Sequence, residues 1–66
     1  MKVKCIQSIT LPYGGQRFTE GKDYIFELIT SGEEAGDYKT IDDANEIHNM
    51  GNVEDEWFNN HFIIIK

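Results

Sequence analysis

The sequence has one cysteine, Cys5, and one proline, Pro12. A single cysteine closes no internal disulfide, which excludes the small bridged scaffolds of oxidising compartments. Cations are scarce: 6 lysines and arginines stand against 12 aspartates and glutamates, a formal net charge of -6. A surface that grips phosphates needs the opposite balance, so direct nucleic-acid binding and docking on an anionic membrane are both disfavoured. No apolar run approaches the ~20 residues that cross a bilayer. Gln7 and Ser8 interrupt the stretch after Lys2 and Lys4, so no secretory apolar segment develops. A soluble cytoplasmic protein is the expectation. At 66 residues the chain is read as one domain, 1–66. A chain of this size hides only about 60% of its unfolded surface, which leaves little room for a large internal cavity.

Short alternating or apolar segments separated by turn residues read as all-β. Lys2 to Gln7 alternates, with Val3 and Cys5 on one face and Lys2 and Lys4 on the other. Tyr24 to Thr30 is the strongest strand, with Tyr24, Phe26 and Leu28 pointing one way and Ile25, Glu27 and Ile29 the other. Asp37 to Ile41 and Glu46 to Met50 are joined by Asp42, Asp43, Ala44 and Asn45. These make a tight hairpin turn, because Asn and Asp tolerate left-handed backbone. Phe62 to Ile65 is a continuous apolar strand, which predicts cover on both faces. Ser8 to Lys22 is expected to be a long loop, with a type II turn at Thr19 to Lys22 and Gly21 at the position of positive φ. Asn52 is the expected cap of a helix of one to two turns whose first turn holds Glu54, Asp55 and Glu56. Asn59 or Asn60 is expected to end it in the left-handed region.

This order of strands, with a single helical turn before the last, predicts a five-stranded SH3-like barrel. The residues Val3-Lys4-Cys5-Ile6, Thr19-Glu20-Gly21-Lys22-Asp23-Tyr24, Tyr38 with Ile41-Asp42-Asp43, and Trp57-Phe58-Asn59-Asn60-His61-Phe62 carry a resemblance. The chain resembles small SH3-like proteins of bacteriophages and some bacteria, most of them uncharacterised. The resemblance implies a shared scaffold rather than a shared activity. The peptide-binding SH3 domains of signalling proteins have a tryptophan opening the third strand and a proline in the last loop. Here Trp57 lies in the last connection and Pro12 in the first, so polyproline recognition is not implied.

No catalytic residues and no cofactor are expected. Cys5 shares the face of Val3 and reads as a small core hydrophobe; a nucleophile paired with His48 or His61 is the weaker reading. Glu46 and His48 project from one strand face and His61 offers a third ligand. Even so, the spacings of closed metal sites are missing, and surface cross-strand pairing is the simpler account. Gly14 and Gly15 lack the ending of a phosphate loop and read as a loop tip.

Tyr13, Arg17 and Phe18 flank that tip and combine aromatics with an arginine, the composition favoured at protein interfaces. The alternative for Phe18 is that it anchors the loop in the core. Trp57 is too large to vanish into so small a domain, so one of its edges is a further candidate contact. A non-enzymatic protein-binding module follows, plausible as a phage accessory or host-modulating factor. A second possibility uses Glu33, Glu34, Asp42, Asp43, Glu54, Asp55 and Glu56 as mimics of nucleic-acid phosphates. The plain alternative is that these carboxylates keep the domain soluble and cap its turns. The edge of Phe62 to Ile65 is also a possible homodimer contact.

Overall fold

The computed structural model describes residues 1–65, and it is mainly β with one short helix. Eight short strands form three sheets: β1 (Lys2–Cys5), β2 (Ile9–Leu11), β3 (Gly15–Phe18), β4 (Asp23–Ile25), β5 (Glu27–Leu28), β6 (Tyr38–Ile41), β7 (Ile47–Gly51) and β8 (Phe62–Ile65). The helix α1 (Glu56–His61) precedes β8. The first sheet has the order β4-β1-β8, the second is the hairpin β2-β3, and the third is β5-β6-β7. All pairings are antiparallel, and no ladder closes the sheets into a complete cylinder among the described residues.

The first and last strands lie side by side. Val3 pairs with Tyr24 on one side and Ile64 on the other, and Cys5 pairs with Phe62. Alternation then sets the faces: Val3 and Cys5 are fully buried, whereas Lys2 and Lys4 are exposed. The core is mostly aromatic, built from Phe18, Tyr24, Phe26, Phe58 and Phe62 with Val3, Cys5 and Met50. Its rings meet chiefly edge to face, with Phe62 central: 5.2 Å from Phe26, 5.6 Å from Phe18 and 5.7 Å from Phe58 between centroids.

Several expectations are corrected. The segment read as a long loop, Ser8 to Lys22, contains the β2-β3 hairpin, because Ile9 and Phe18 are drawn toward the core and bring the intervening residues into register. The Tyr24 to Thr30 strand is broken at Phe26, so β4 pairs with β1 and β5 pairs with β6. One strand thus serves two sheets. Past the break the alternation fails: Tyr24 and Phe26 are buried, but Leu28 is 51% exposed.

The last strand is not covered on both faces. It is the edge of its sheet, and Phe62 is buried while Ile63 and Ile64 are exposed. Asn52 does not cap the helix. Its side chain accepts the Glu54 N–H at 2.8 Å in a preceding turn, so Glu54 and Asp55 lie before the helix. The helix runs on to His61 and ends in extended Phe62, not in a left-handed asparagine.

Both turn expectations hold. Lys22 N–H donates to the Thr19 carbonyl at 3.1 Å with Gly21 at φ 87°, and Asn45 takes φ 66° in the β6-β7 hairpin. No helix among the described residues is long and apolar enough to cross a membrane.

Candidate functional site

Three places bring chemistry-bearing side chains together. The first is a buried polar hub at the β6-β7 turn, centred on Asp42, whose side chain has no exposed surface. Its Oδ1 accepts the backbone N–H groups of Ala44 at 2.8 Å and Glu46 at 2.9 Å, which folds the turn around the carboxylate. Its Oδ2 meets Arg17 Nη1 at 3.2 Å and His48 Nε2 at 2.5 Å. Burial pushes the Asp42 carboxyl up, but the Glu46 N–H, His48, the Ala44 N–H and Arg17 outweigh it and bring the pKa down to about 2. Arg17 Nη1 also donates to Glu46 Oε2 at 2.8 Å. The guanidinium reaches this position by lying against the β2-β3 turn. A Cβ on Gly14 would stand 2.3 Å from Arg17 Nη2, and Gly14 also has φ +80°.

Asp42, Glu46 and His48 place one donor atom each within 4.8 Å of one another. This is the grouping weighed as a metal site for Glu46 and His48 and set below surface pairing, with Asp42 in place of His61. His61 is elsewhere, its Nδ1 2.7 Å from the Trp57 carbonyl oxygen. Arg17 Nη1 lies between the two carboxylates of this grouping as their counter-ion, 3.2 Å from Asp42 Oδ2 and 2.8 Å from Glu46 Oε2. A metal ion there would have to expel a guanidinium whose side chain is only 11% exposed. Asp43 is likewise engaged: it accepts from Lys22 Nζ at 2.7 Å, Thr19 Oγ1 at 2.7 Å and Tyr24 Oη at 2.8 Å. Of the seven carboxylates considered as phosphate mimics, Asp42 is buried and Asp43 is engaged by the protein's own side chains. Glu33, Glu34, Glu54, Asp55 and Glu56 remain exposed in connections or at the start of α1.

The second place is a small slot of about 190 Å³ walled by Ile9, Leu11 and Trp57, with Phe18 and Met50 beneath and Arg17 and His48 at one side. Three of the four residues picked from the sequence as protein-binding candidates meet here. Phe18 is a core residue at 3% exposure, which is the alternative considered for it; Arg17 is spent on the hub; Trp57 is 44% exposed. Tyr13 is 86% exposed at the tip of the β2-β3 hairpin and does not line the slot.

The third place was not legible as a site. Where β4 parts from β6, a groove of about 420 Å³ opens on the outer surface. Ile25, Ile41 and Ile47 form its apolar part, at 59%, 52% and 71% exposure, and Lys22, Lys39 and Glu27 stand around it. The strand register explains the alignment. Ile25 pairs with Lys2 and Lys2 with Ile65, while Ile41 pairs with Ile47 across the other sheet. Directly paired residues share a face, so Ile65 and Ile25 flank the Lys2 stem on one sheet, Ile41 and Ile47 lie together on the other, and Ile25, Ile41 and Ile47 meet at the groove. Ile63, paired with Lys4, lies on the same face as Ile65. The Thr40 hydroxyl donates to the Ile25 carbonyl at 2.7 Å and pins one end of the groove; the Lys22 and Tyr24 contacts to Asp43 pin the other. Alternation within each segment marked these isoleucines as outward, but only the register across strands shows that they line up.

Cys5, the one thiol, is fully buried with Sγ 3.1 Å from the Gln7 carbonyl oxygen, and burial raises its pKa. No protein-family model, curated protein or solved structure matches the chain.

Proposed function

We propose that this protein is a non-enzymatic protein-binding module, an SH3-like scaffold left open along the seam between β4 and β6. The carrying observation is the groove with Ile25, Ile41 and Ile47 half-exposed or more, beside a core of eight buried hydrophobic residues among the described residues. Branched aliphatic side chains aligned beside a groove and rimmed by charge have the composition of a recognition surface. Asp42 engages Arg17 and His48 by side-chain hydrogen bonds, and the Cys5 thiol is buried. The resemblance to small phage and bacterial SH3-like proteins favours an accessory or host-modulating role for such a module.

Two variants test the reading. Ile41→Ser and Ile47→Ser alter exposed positions, so each should keep the melting profile and lose a partner that the native protein retains from bacterial lysate. Tyr13→Ala should keep that partner. Retention of the same partner by both isoleucine variants would refute the assignment of the groove as the binding face.

A further inference from the structure

We propose that two copies of this chain pair antiparallel through the free edge of β8, forming one sheet of order β4-β1-β8-β8-β1-β4 about a two-fold axis. The surface involved is not the groove, and the inference stands apart from the binding reading above.

Main-chain geometry gives the first argument. Cys5 N–H donates to the Lys22 carbonyl and Phe26 N–H to the Met1 carbonyl, so odd-numbered residues from Met1 to Cys5 turn their backbone groups toward the β4 side. Ile6 N–H donates to the His61 carbonyl, so the even-numbered residues turn toward β8, where Lys4 meets Ile63 and Lys2 meets Ile65. The N–H and C=O of Ile64 and the C=O of Phe62 therefore point away from β1. Phe62 N–H is bound to the Phe58 carbonyl, but the outward Ile64 groups have no backbone partner among the described residues. A residue with both groups facing outward is its own complement. Ile64 set opposite the second copy's Ile64 exchanges both hydrogen bonds across the axis.

Composition gives the second. Edge strands usually carry a charge, a proline or a bulge that blocks further pairing. β8 has none of these: Phe62 to Ile65 is wholly apolar and its register with β1 is unbroken. A second copy turns this edge into a central strand. With Ile64 on the axis, Ile63, 54% exposed, faces the second copy's Ile65 on one side of the sheet; on the other side the two Ile64 side chains, each 45% exposed, meet. Because α1 precedes β8, antiparallel pairing sets each helix past the far end of the opposing strand, clear of the seam.

Charge and area give the third. The chain carries -6, yet β8 is uncharged, and Lys2 and Lys4 stand one strand back, held by Asp23 at 3.6 and 3.0 Å. No like charges face each other across the seam. The exposed parts of Ile63 and Ile64 with their backbone amount to roughly 200 Å² on each copy, against about 800 Å² per partner in a standard interface. The dimer is accordingly weak, monomeric at micromolar concentration and about half formed near 1 mM.

The test compares the full chain at about 20 μM and about 1 mM by sedimentation equilibrium and amide hydrogen exchange. The weight-average mass should rise by about half over that range, and exchange at Ile64 should slow about twofold while the β7 amides stay unchanged. Ile63→Glu gains Lys4 as a neighbour, so it should melt within about 3 °C of the native protein at low concentration and stay monomeric at about 1 mM. Ile47→Ser, in the groove, should dimerise as the native chain does, which keeps this pairing and the groove reading separable. A native chain that is monomeric at the higher concentration would overturn the proposal. Self-association lost in Ile47→Ser but kept in Ile63→Glu would overturn it too, as would growth past the dimer, which a closed two-fold forbids. Protection of Ile64 by a protein captured from lysate, with the chain itself monomeric throughout, would give the edge to a strand of another protein and refute self-pairing.

Discussion

Replacing Phe62 by leucine probes the packing of the aromatic core. Phe62 is 1% exposed and belongs to β8, yet its ring meets side chains from β3, β4, α1 and the break between β4 and β5. Phe26 and Phe18 meet it edge to face at 5.2 and 5.6 Å, Phe58 stacks at 5.7 Å, and Tyr24 stands at 6.3 Å. Leucine conserves most of the buried area but forfeits the ring contacts, each worth about 0.5–1.5 kcal/mol beyond area. These contacts share one ring and do not add fully, so the expected loss is about 2 kcal/mol. A chain of 66 residues has a total stability of roughly 3–10 kcal/mol. The leucine variant should therefore fold with Tm lowered by about 8–16 °C. Alanine, at about 3–5 kcal/mol, should leave a substantial unfolded fraction at 25 °C. Thermal melts followed by circular dichroism measure the shift, and Trp57 fluorescence offers a second probe because its ring lies 6.3 Å from that of Phe62. A change below about 3 °C for Phe62→Leu, or an equal change for the exposed control Tyr13→Leu, would show that the aromatic cluster does not carry the fold.

Other perturbations act on the turn and the hub. The folded-state pKa of Asp42 lies below the ordinary value of 3.8, at about 2, so its contribution is complete above the ordinary carboxylate range and is lost as pH falls through 2. Asp23 and Asp43 are lowered in the same direction, by Lys4 and by Lys22 with Thr19 and Tyr24 respectively, each against burial. The urea midpoint should drop between pH 5 and 2, and Asp42→Asn should flatten that drop; an unchanged slope refutes the role of the hub. Arg17→Ala should convert the Asp42, Glu46 and His48 grouping into a zinc site, so that zinc raises the melting temperature of the variant and not of the native protein. Equal zinc stabilisation of both proteins would show that Arg17 does not hold the place of the ion. Asn45 at φ 66° should accept glycine with little change, whereas valine should cost about 1–2 kcal/mol in denaturant titrations.

The elements legible in the sequence were those whose cause is local. Alternation in Lys2 to Cys5 set its faces, Gly21 and Asn45 announced positive φ, and the Asp42 to Asn45 segment announced a hairpin. The break of the second strand at Phe26 was not legible, because nothing in a run of aromatic and branched residues says that it changes partner midway. The same long-range cause hid the β2-β3 hairpin, whose bulged register depends on Ile9 and Phe18 reaching one core. The helix start was displaced because Asn52 spent its side-chain oxygen on an earlier turn. At the hub, Glu46 and His48 were visible as a same-face pair, but Arg17 comes from 25 residues before Asp42 and only folding brings them together. The meeting of isoleucines at the groove is likewise a property of register across strands, beyond the reach of any pattern along one of them.

The bend at Phe26 ties the proposed binding groove to the core. Because one continuous stretch supplies both β4 and β5, the walls of the cleft are joined through a phenylalanine that is fully buried in the aromatic cluster. Prising the cleft apart thus disturbs the rings behind it. A guest that wedges the walls loosens the interior, whereas one that clasps them together tightens it, so occupancy should register as a change in the molecule's resistance to heat.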